Sequence, residues 1–150
     1  MRWTAMAATA LAAAAAGCAP TMDLPDGFVK VGGDEPYDMR AVSADGVVLA
    51  LRGHDNPEDG TLAFWAEAVR NELTGGRDYK LTGDDPVASS GGLDGRLLSF
   101  SAERSGAPFT YLVAVFVTRR RVLVAEAGGA ADAVKGKLAA IRRAMLTARP

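Results

Sequence analysis

The sequence predicts an α+β domain in which an antiparallel sheet, made of a hairpin and a three-strand meander, is covered by helices on both faces. The first observation is three consecutive strand patterns, at residues 96–103, 109–118 and 121–127. The second is that the run 109–117 is apolar at odd and even positions alike, which is typical of a central strand buried on each face. Two amphipathic helix patterns, at residues 57–73 and 130–147, supply the covering layers.

The length and composition favour a single domain with a substantial core, since 49% of the 150 residues are hydrophobic. The net charge of −1 gives no global electrostatic argument for binding nucleic acid. Charge is unevenly distributed: residues 18–60 hold nine acidic and three basic residues, and residues 119–150 hold two acidic and eight basic ones. The basic part either faces a phosphate-rich surface or forms ordinary solvated helix and turn surface.

The first 17 residues are predicted to be a signal peptide rather than part of the fold. Arg2 forms a minimal positive region, and the apolar stretch 3–16 is too short to span a bilayer as a helix. The stretch ends in Ala16-Gly17-Cys18, which resembles the signal of bacterial lipoproteins, where small residues ending in Ala-Gly precede a cysteine. That resemblance implies cleavage before Cys18, a diacylglyceryl group on its thiol and an acyl chain such as palmitate on the new amine.

Cys18 is the only cysteine of the chain, and lipidation would explain an unpaired cysteine in an exported protein. The alternative is cleavage after Ala16, which leaves an unmodified thiol. Two or more acyl chains anchor a protein stably, because each buried methylene contributes ~0.8 kcal/mol. By resemblance to lipoprotein sorting in Gram-negative bacteria, Ala19 in place of an aspartate favours the outer membrane, facing the periplasm. Residues 18–27 are predicted to be a lipidated tether and residues 28–150 a single α+β domain.

The domain is predicted to begin with a short strand at residues 28–31, followed by a hairpin. Residues 37–43 and 47–52 flank the tripeptide Ala44-Asp45-Gly46. An Asp-Gly pair between two apolar runs is a strong hairpin signal. Residues 32–36, Gly-Gly-Asp-Glu-Pro, end the first strand and separate it from this hairpin.

The segment that follows the hairpin contains the only histidine beside three carboxylates: His54, Asp55, Glu58 and Asp59. Imidazole and carboxylate groups are ordinary metal ligands, so these four residues are weak candidates for a metal site. The same segment also fits a helix start, with Asn56 as N-cap, Pro57 at the first helical position and Asp59 completing a capping box. We favour the helix start and predict neither a metal nor a cofactor.

The first helix is predicted at residues 57–73, with an apolar line formed by Leu62, Trp65, Val69 and Leu73. Two short strands, at residues 79–82 and 87–89, follow it with a loop between them. Ser89 and Ser90 are not part of a Gly-x-Ser-x-Gly elbow, and the single histidine is remote in the sequence. Because no nucleophile is paired with a base, the protein is predicted not to be an enzyme.

The C-terminal part is predicted to end the sheet at Gly128-Gly129 and to continue as a helix over residues 130–147. Apolar residues recur there at helical spacing, namely Val134, Leu138, Ile141 and Met145. One face of this helix is therefore expected to pack on the sheet.

The turn before the last strand carries three adjacent cations, Arg119, Arg120 and Arg121. Cations packed so closely repel one another, and an anionic partner or lipid head groups would relieve that repulsion. We therefore predict a partner or membrane surface at this turn. The alternative is that the arginines only keep the end of the hairpin soluble and unpaired.

The order of the elements resembles the Mog1/PsbP-like fold, an α/β/α sandwich that includes thylakoid PsbP proteins and DcrB-like bacterial lipoproteins. The resemblance covers about residues 24–148. It is carried by the segments 24–28, 95–100, 111–116 and 122–127 together with Trp65. It implies a mostly non-enzymatic protein that works in assembly, binding or envelope upkeep, and it carries over no ligand residues.

These observations favour a lipid-anchored cell-envelope protein that acts as a non-enzymatic binding or assembly module for an unknown envelope protein partner. The alternative is a carrier lipoprotein for a small ligand or a metal, which would use the sheet edge and residues 54–59. Both hypotheses share the membrane as a partner through the lipid, and neither involves nucleic acid.

Overall fold

The computed structural model describes residues 18–32 and 35–150. The predicted signal peptide, residues 1–17, lies outside the described residues, as do positions 33–34 of the predicted interruption. The described strands and helices are β1 (Phe28–Val31), β2 (Met39–Ser43), β3 (Val48–Asp55), α1 (Leu62–Gly76), β4 (Lys80–Ala88), β5 (Asp94–Arg104), β6 (Ala107–Val117), β7 (Arg121–Ala130) and α2 (Ala131–Met145).

The seven strands form one sheet in the order β1-β2-β3-β7-β6-β5-β4, and every neighbouring pair is antiparallel. The predicted α+β class with an antiparallel sheet is therefore confirmed. Strand β7 is the middle strand, because it joins β3 of the N-terminal hairpin to β6. No helix within the described residues is both long and apolar enough to cross a membrane.

Apolar cores lie on the two faces of the sheet, because successive residues of a strand point in opposite directions. In β6, Leu112 and Phe116 belong to the core that contains Ile141 of α2. Val113 of the same strand belongs to a second core, which contains Leu73 of α1. This burial on two sides explains why the run 109–117 of the predicted strand is apolar at consecutive positions.

Strand β4 replaces the two short strands and the intervening loop that the sequence predicted for residues 79–89. It pairs with β5 along its length, apart from a register shift between Leu81 and Gly83. Pro86 is tolerated within the strand because β4 lies at the edge of the sheet, where a missing N–H group need not break a ladder. The prediction of a loop at residues 83–86 was wrong for this reason.

Strand β7 runs through the two glycines that were predicted to end the sheet. It ends at Ala130, and α2 begins at the next residue, Ala131. A Cβ atom on Gly129 would lie 3.2 Å from the Cα atom of Val47. The glycine therefore permits close approach of the neighbouring chain, and its interpretation as a strand terminator was wrong.

Helix α1 begins at Leu62, so the predicted start at Pro57 was wrong. Its N-cap is Thr61, whose Oγ1 atom accepts a hydrogen bond of 3.2 Å from the backbone N–H of Phe64. The predicted cap, Asn56, is only 3% exposed and lies five residues before this cap.

Asn56 instead joins the start of α1 to the turn between β6 and β7. Its Oδ1 atom accepts hydrogen bonds from Gly60 N–H at 2.8 Å and from the indole Nε1–H of Trp65 at 3.1 Å. Its Nδ2 group donates to the carbonyl oxygens of Gly60, at 3.0 Å, and Thr118, at 3.1 Å. An asparagine before a helical pattern fits a cap equally well in the sequence, so only the tertiary contact distinguishes the two roles.

Candidate functional site

The segment after Cys18 packs against the C-terminal end of the chain. Cys18 itself is exposed. Thr21 and Arg149 exchange two backbone hydrogen bonds, of 2.9 and 3.0 Å. Met22 is 4% exposed and belongs to the core that α2 covers. Part of the segment predicted to be a tether is therefore integral to the domain, and only Cys18 and Ala19 precede this packed part among the described residues.

Pro20 brings Cys18 close to the turn between β6 and β7. A Cβ atom on Gly53 of β3 would lie 2.7 Å from Cγ of Pro20 and 2.6 Å from Nη2 of Arg121. The missing side chain of Gly53 thus makes room for both residues at one place on β3. Because two residues span at most about 7 Å, Cys18 lies near the same end of the sheet as Arg121.

The turn between β6 and β7 is held by hydrogen bonds of its backbone groups to the Thr118 side chain and to the backbone of Asn56. Thr118 Oγ1 accepts hydrogen bonds from the N–H groups of Arg120, at 3.3 Å, and Arg121, at 2.9 Å. The N–H group of Asn56 donates to the carbonyl oxygen of Arg120 at 2.8 Å. The side chains of Arg119 and Arg120 are exposed, so the turn presents both cations to its surroundings at a fixed position.

The acidic segment and the basic turn, which the sequence presented as separate features, lie side by side. They border an open cleft of about 430 Å³, lined by Asp55, Asn56, Pro57, Asp59, Arg119 and Arg120. Asp55 Oδ1 also lies 4.0 Å from Nε of Arg121, but with 88% of the aspartate side chain exposed this pair stabilises the fold little. The carboxylates partly neutralise the arginines, so the repulsion predicted among the cations is reduced within the chain itself.

The four weak metal candidates do not come together as one set of ligands. Across residues 18–32 and 35–150, no group of three or more His, Cys, Asp or Glu side chains is arranged to hold a metal ion. His54 is an exposed strand residue that pairs with Val122 in the ladder between β3 and β7. The structure thus places His54, Asp55, Glu58 and Asp59 along one strand end and loop.

A second candidate site, which the sequence analysis missed, is a pocket of about 200 Å³ on the sheet face that also carries α1. Strands β2, β3, β6 and β7 contribute its walls and floor. We call it the Glu126 pocket, and its principal lining residues are Tyr37, Arg40, Ala50, Phe109, Tyr111, Glu126 and Gly128.

The strand register explains why this pocket is open. Arg40, Ala50 and Glu126 stand opposite one another on β2, β3 and β7, so their side chains share one face. Ala50 leaves a gap between the two charged residues, whose strands lie about 10 Å apart at ~4.8 Å per strand. A Cβ atom on Gly128 would lie 2.9 Å from Cδ2 of Tyr111, so the glycine also makes room for the ring that forms one wall.

Glu126 is 6% exposed, which is uncommon for a carboxylate. Its Oε1 atom accepts a hydrogen bond of 2.7 Å from the Tyr111 hydroxyl and one of 3.1 Å from Nη2 of Arg52. Its Oε2 atom is buried and has no hydrogen-bond partner among the described residues. Burial, reinforced by the charge of Glu126, raises the pKa of Tyr111 far above its ordinary value, so the phenol stays protonated and donates.

One signal for this pocket was present in the sequence. Glu126 interrupts the apolar run at residues 122–127, and a carboxylate in a strand buried on both faces requires a partner. The other lining residues are far apart in the sequence. Tyr37 precedes β2, whereas Phe109 and Tyr111 lie in β6, so only the register of the sheet brings the rings together.

The sequence matches no protein-family model and no curated protein sequence. Solved structures do match the fold. LpqN of Mycobacterium tuberculosis, described as involved in cell envelope biogenesis, has a TM-score of 0.71 and 18% identity over 87% of this chain and 84% of that chain. The cyanobacterial PsbP protein CyanoP of Synechocystis sp. PCC 6803 has a TM-score of 0.62 and 13% identity over 87% of this chain and 92% of that chain.

A protein of unknown function from Pseudomonas aeruginosa is also similar, with a TM-score of 0.51 and 17% identity over 87% of this chain and 83% of that chain. At such low identity these likenesses concern the fold alone. The chain has a PsbP-like α+β fold, and the resemblance predicted from the sequence is confirmed at that level.

Proposed function

We propose that this chain is a lipid-anchored cell-envelope protein, a Mog1/PsbP-like α/β/α sandwich that acts as a non-enzymatic binding or assembly module. The lipid would be attached at Cys18 and would hold the domain at the outer membrane of a Gram-negative bacterium, facing the periplasm. The ending Ala16-Gly17-Cys18 of the leader supports the lipid. The likeness of the fold to LpqN, a protein involved in cell envelope biogenesis, supports a role in the envelope.

The observation that carries the proposal is the Ala16-Gly17-Cys18 ending, and the packing of the segment after Cys18 determines how an acylated domain would be oriented. Because Thr21 is hydrogen-bonded to Arg149 and Met22 is buried, an acylated Cys18 would keep the domain within a few residues of the bilayer. A tether of two residues reaches about 7 Å, which is about the thickness of one lipid head-group layer and far less than the diameter of the domain. The domain would then have one preferred end toward the membrane.

That membrane-proximal end contains the exposed Arg119 and Arg120. Basic residues near an anionic surface contribute about 1 kcal/mol each, so the two side chains would strengthen contact with lipid head groups. The neighbouring Asp55 and Asp59 weaken this attraction, which makes the turn a contact that supplements the lipid rather than replaces it. An acidic surface of an envelope protein partner would bind the turn by the same charges.

The proposal is tested by replacing the acylated residue. Cys18→Ser should abolish incorporation of radiolabelled palmitate and release the protein from the membrane fraction, whereas Ala19→Ser, the adjacent control, should retain both properties. If Cys18→Ser still incorporates palmitate and still sediments with membranes, lipid anchoring at Cys18 is disproved.

A small-ligand carrier is the second candidate function, and the Glu126 pocket is the observation that favours it. The pocket combines three aromatic rings with a buried carboxylate that has one unpartnered oxygen within the described part of the chain. A carrier for a metal ion has weaker support, because the described residues contain no set of three or more candidate ligands.

A further inference from the structure

We propose that the Glu126 pocket binds a small zwitterionic amphipathic molecule of the size and polarity of an apolar amino acid. The ammonium group would bind Oε2 of Glu126, the carboxylate would bind Arg40, and the apolar part would lie against the aromatic rings. The inference gives a ligand class to the carrier function. It does not depend on the lipid anchor.

The hydrogen bonds of Glu126 indicate where the donor group of the ligand would bind. Tyr111 and Arg52 both donate to Oε1, which leaves the lone pairs of Oε2 unused among the described residues. A buried polar atom without a partner is costly, and such atoms in folded proteins are usually matched by water, an ion or a ligand. A carboxylate oxygen only accepts, so the group that completes it must be a hydrogen-bond donor.

The position of Arg40 indicates where the carboxylate of the ligand would bind. Its guanidinium lies 5.6 Å from the centroid of the Tyr37 ring and lines the pocket. No carboxylate among residues 18–32 and 35–150 forms a salt bridge with Arg40, whereas Arg52 is paired with Glu126. A guanidinium binds a carboxylate through two parallel hydrogen bonds. Arg40 lies on the same face of the sheet as Glu126, with Ala50 between them. The two ends of the pocket therefore carry opposite charges.

The apolar middle and the small volume limit the ligand further. The rings of Tyr37, Phe109 and Tyr111 line the cavity together with the small residues Ala50 and Gly128. At about 200 Å³ the cavity is smaller than the ~300–1,000 Å³ that drug-sized ligands occupy. A molecule with two charged groups and one compact apolar side chain fits these dimensions.

The site lies well away from the membrane-proximal end. Glu126 is five residues along β7 from Arg121, which corresponds to about 17 Å at ~3.4 Å per residue. A ligand could therefore reach the pocket from the aqueous side while the domain is anchored. Binding and anchoring are consequently separable in experiment.

The test uses three related probes: phenylalanine, phenethylamine, which lacks the carboxylate, and 3-phenylpropionate, which lacks the ammonium group. Binding to the full chain in nonionic detergent would be measured by titration calorimetry. We expect phenylalanine to bind saturably and each truncated probe to bind about tenfold more weakly, since each loses one charged contact. Failure of all three probes to bind the folded protein would overturn the proposal.

Two variants identify the site. Glu126→Gln should weaken phenylalanine binding about tenfold, whereas Glu103→Gln, the same change at an exposed position on β5, should leave it unchanged. Ala50→Leu places a larger side chain on the floor between Arg40 and Glu126 and should abolish binding without removing a polar group. Thermal unfolding shows which variants fold. If folded Ala50→Leu protein binds phenylalanine as the wild type does, the ligand occupies another site and the proposal is wrong.

Discussion

Thr21 and Arg149 form an isolated antiparallel bridge of two backbone hydrogen bonds that joins the segment after Cys18 to the C-terminal end of the chain. An ion pair of 3.0 Å between Asp23 and Arg149 lies beside it. The bridge positions Met22 in the core, so the chain is structured almost up to Cys18. If Cys18 is acylated as we propose, this contact would determine which end of the domain faces the bilayer.

The first prediction concerns Met22. Met22→Ala should lower the free energy of unfolding by about 2–5 kcal/mol, because it removes a buried side chain and leaves a cavity. Val29→Ala, at a strand position that is 69% exposed, is the matched control and should change stability by less than about 1 kcal/mol. Denaturant unfolding followed by tryptophan fluorescence measures both. If Met22→Ala left the free energy of unfolding unchanged, residues 18–27 would be a free tether.

The second prediction compares Asn56 with the true N-cap. Asn56→Ala removes the hydrogen-bond partner of the Trp65 indole and of backbone groups of Gly60 and Thr118. Each group left buried and unpaired should lower the free energy of unfolding by roughly 1–3 kcal/mol. Thr61→Ala removes only one exposed capping bond and should cost about 1 kcal/mol. We expect Asn56→Ala to be the more destabilising in urea titrations. Equal effects would mean that Asn56 acts only locally at the helix start.

The third prediction concerns the hydrogen bond between Tyr111 and Glu126. Tyr111→Phe removes a 2.7 Å bond to a buried carboxylate and should cost about 1.5–3 kcal/mol at neutral pH. Tyr79→Phe is the matched control, because its ring stacks on Tyr111 with centroids 5.2 Å apart and its hydroxyl has no hydrogen bond within the described part of the chain. The control should be close to wild type in chemical denaturation.

The raised pKa of Tyr111 predicts that the free energy of unfolding depends on pH. The pKa of Tyr111 is raised in the folded protein, so as the pH rises the unfolded chain releases this proton first, near pH 10. The stabilisation is complete below about pH 10 and is lost above it, by up to about 1.4 kcal/mol per pH unit. The unfolding free energy of the wild type should therefore fall more steeply above pH ~10 than that of Tyr111→Phe. Parallel curves for the two proteins would contradict the protonated, buried state of Tyr111.

The fourth prediction concerns the basic turn. Arg119→Glu combined with Arg120→Glu should weaken binding of the unacylated Cys18→Ser chain to phosphatidylglycerol vesicles at least about tenfold, given about 1 kcal/mol per basic residue. Lys80→Glu combined with Lys135→Glu makes the same charge change at exposed positions at the opposite end and should have a smaller effect. Vesicle sedimentation at low salt distinguishes them. If both double variants bind equally, the arginines only keep the turn soluble.

The sequence was sufficient where a local pattern has one physical cause. Alternating and continuous apolar runs located six of the strands approximately, because burial on a sheet imposes that period. Helical spacing located the packing faces of both helices, except that Leu138, predicted to lie on the packed face of α2, is 36% exposed. The Asp-Gly pair located the N-terminal hairpin, with Gly46 at a φ of 82°. The α+β class and the PsbP-like fold followed from these elements.

Only the tertiary structure decided which distant residues meet. The proline in β4 predicted a loop, and only the position of the strand at the sheet edge explains why it is tolerated. Asn56 was predicted to be a helix cap, and only the structure shows that its amide donates to Thr118. The Glu126 pocket likewise depends on the pairing of Arg40, Ala50 and Glu126 across three strands. The physical reason is that local sequence determines conformational preference and periodicity, whereas strand register and the packing of the N-terminal segment are set by side chains many residues apart.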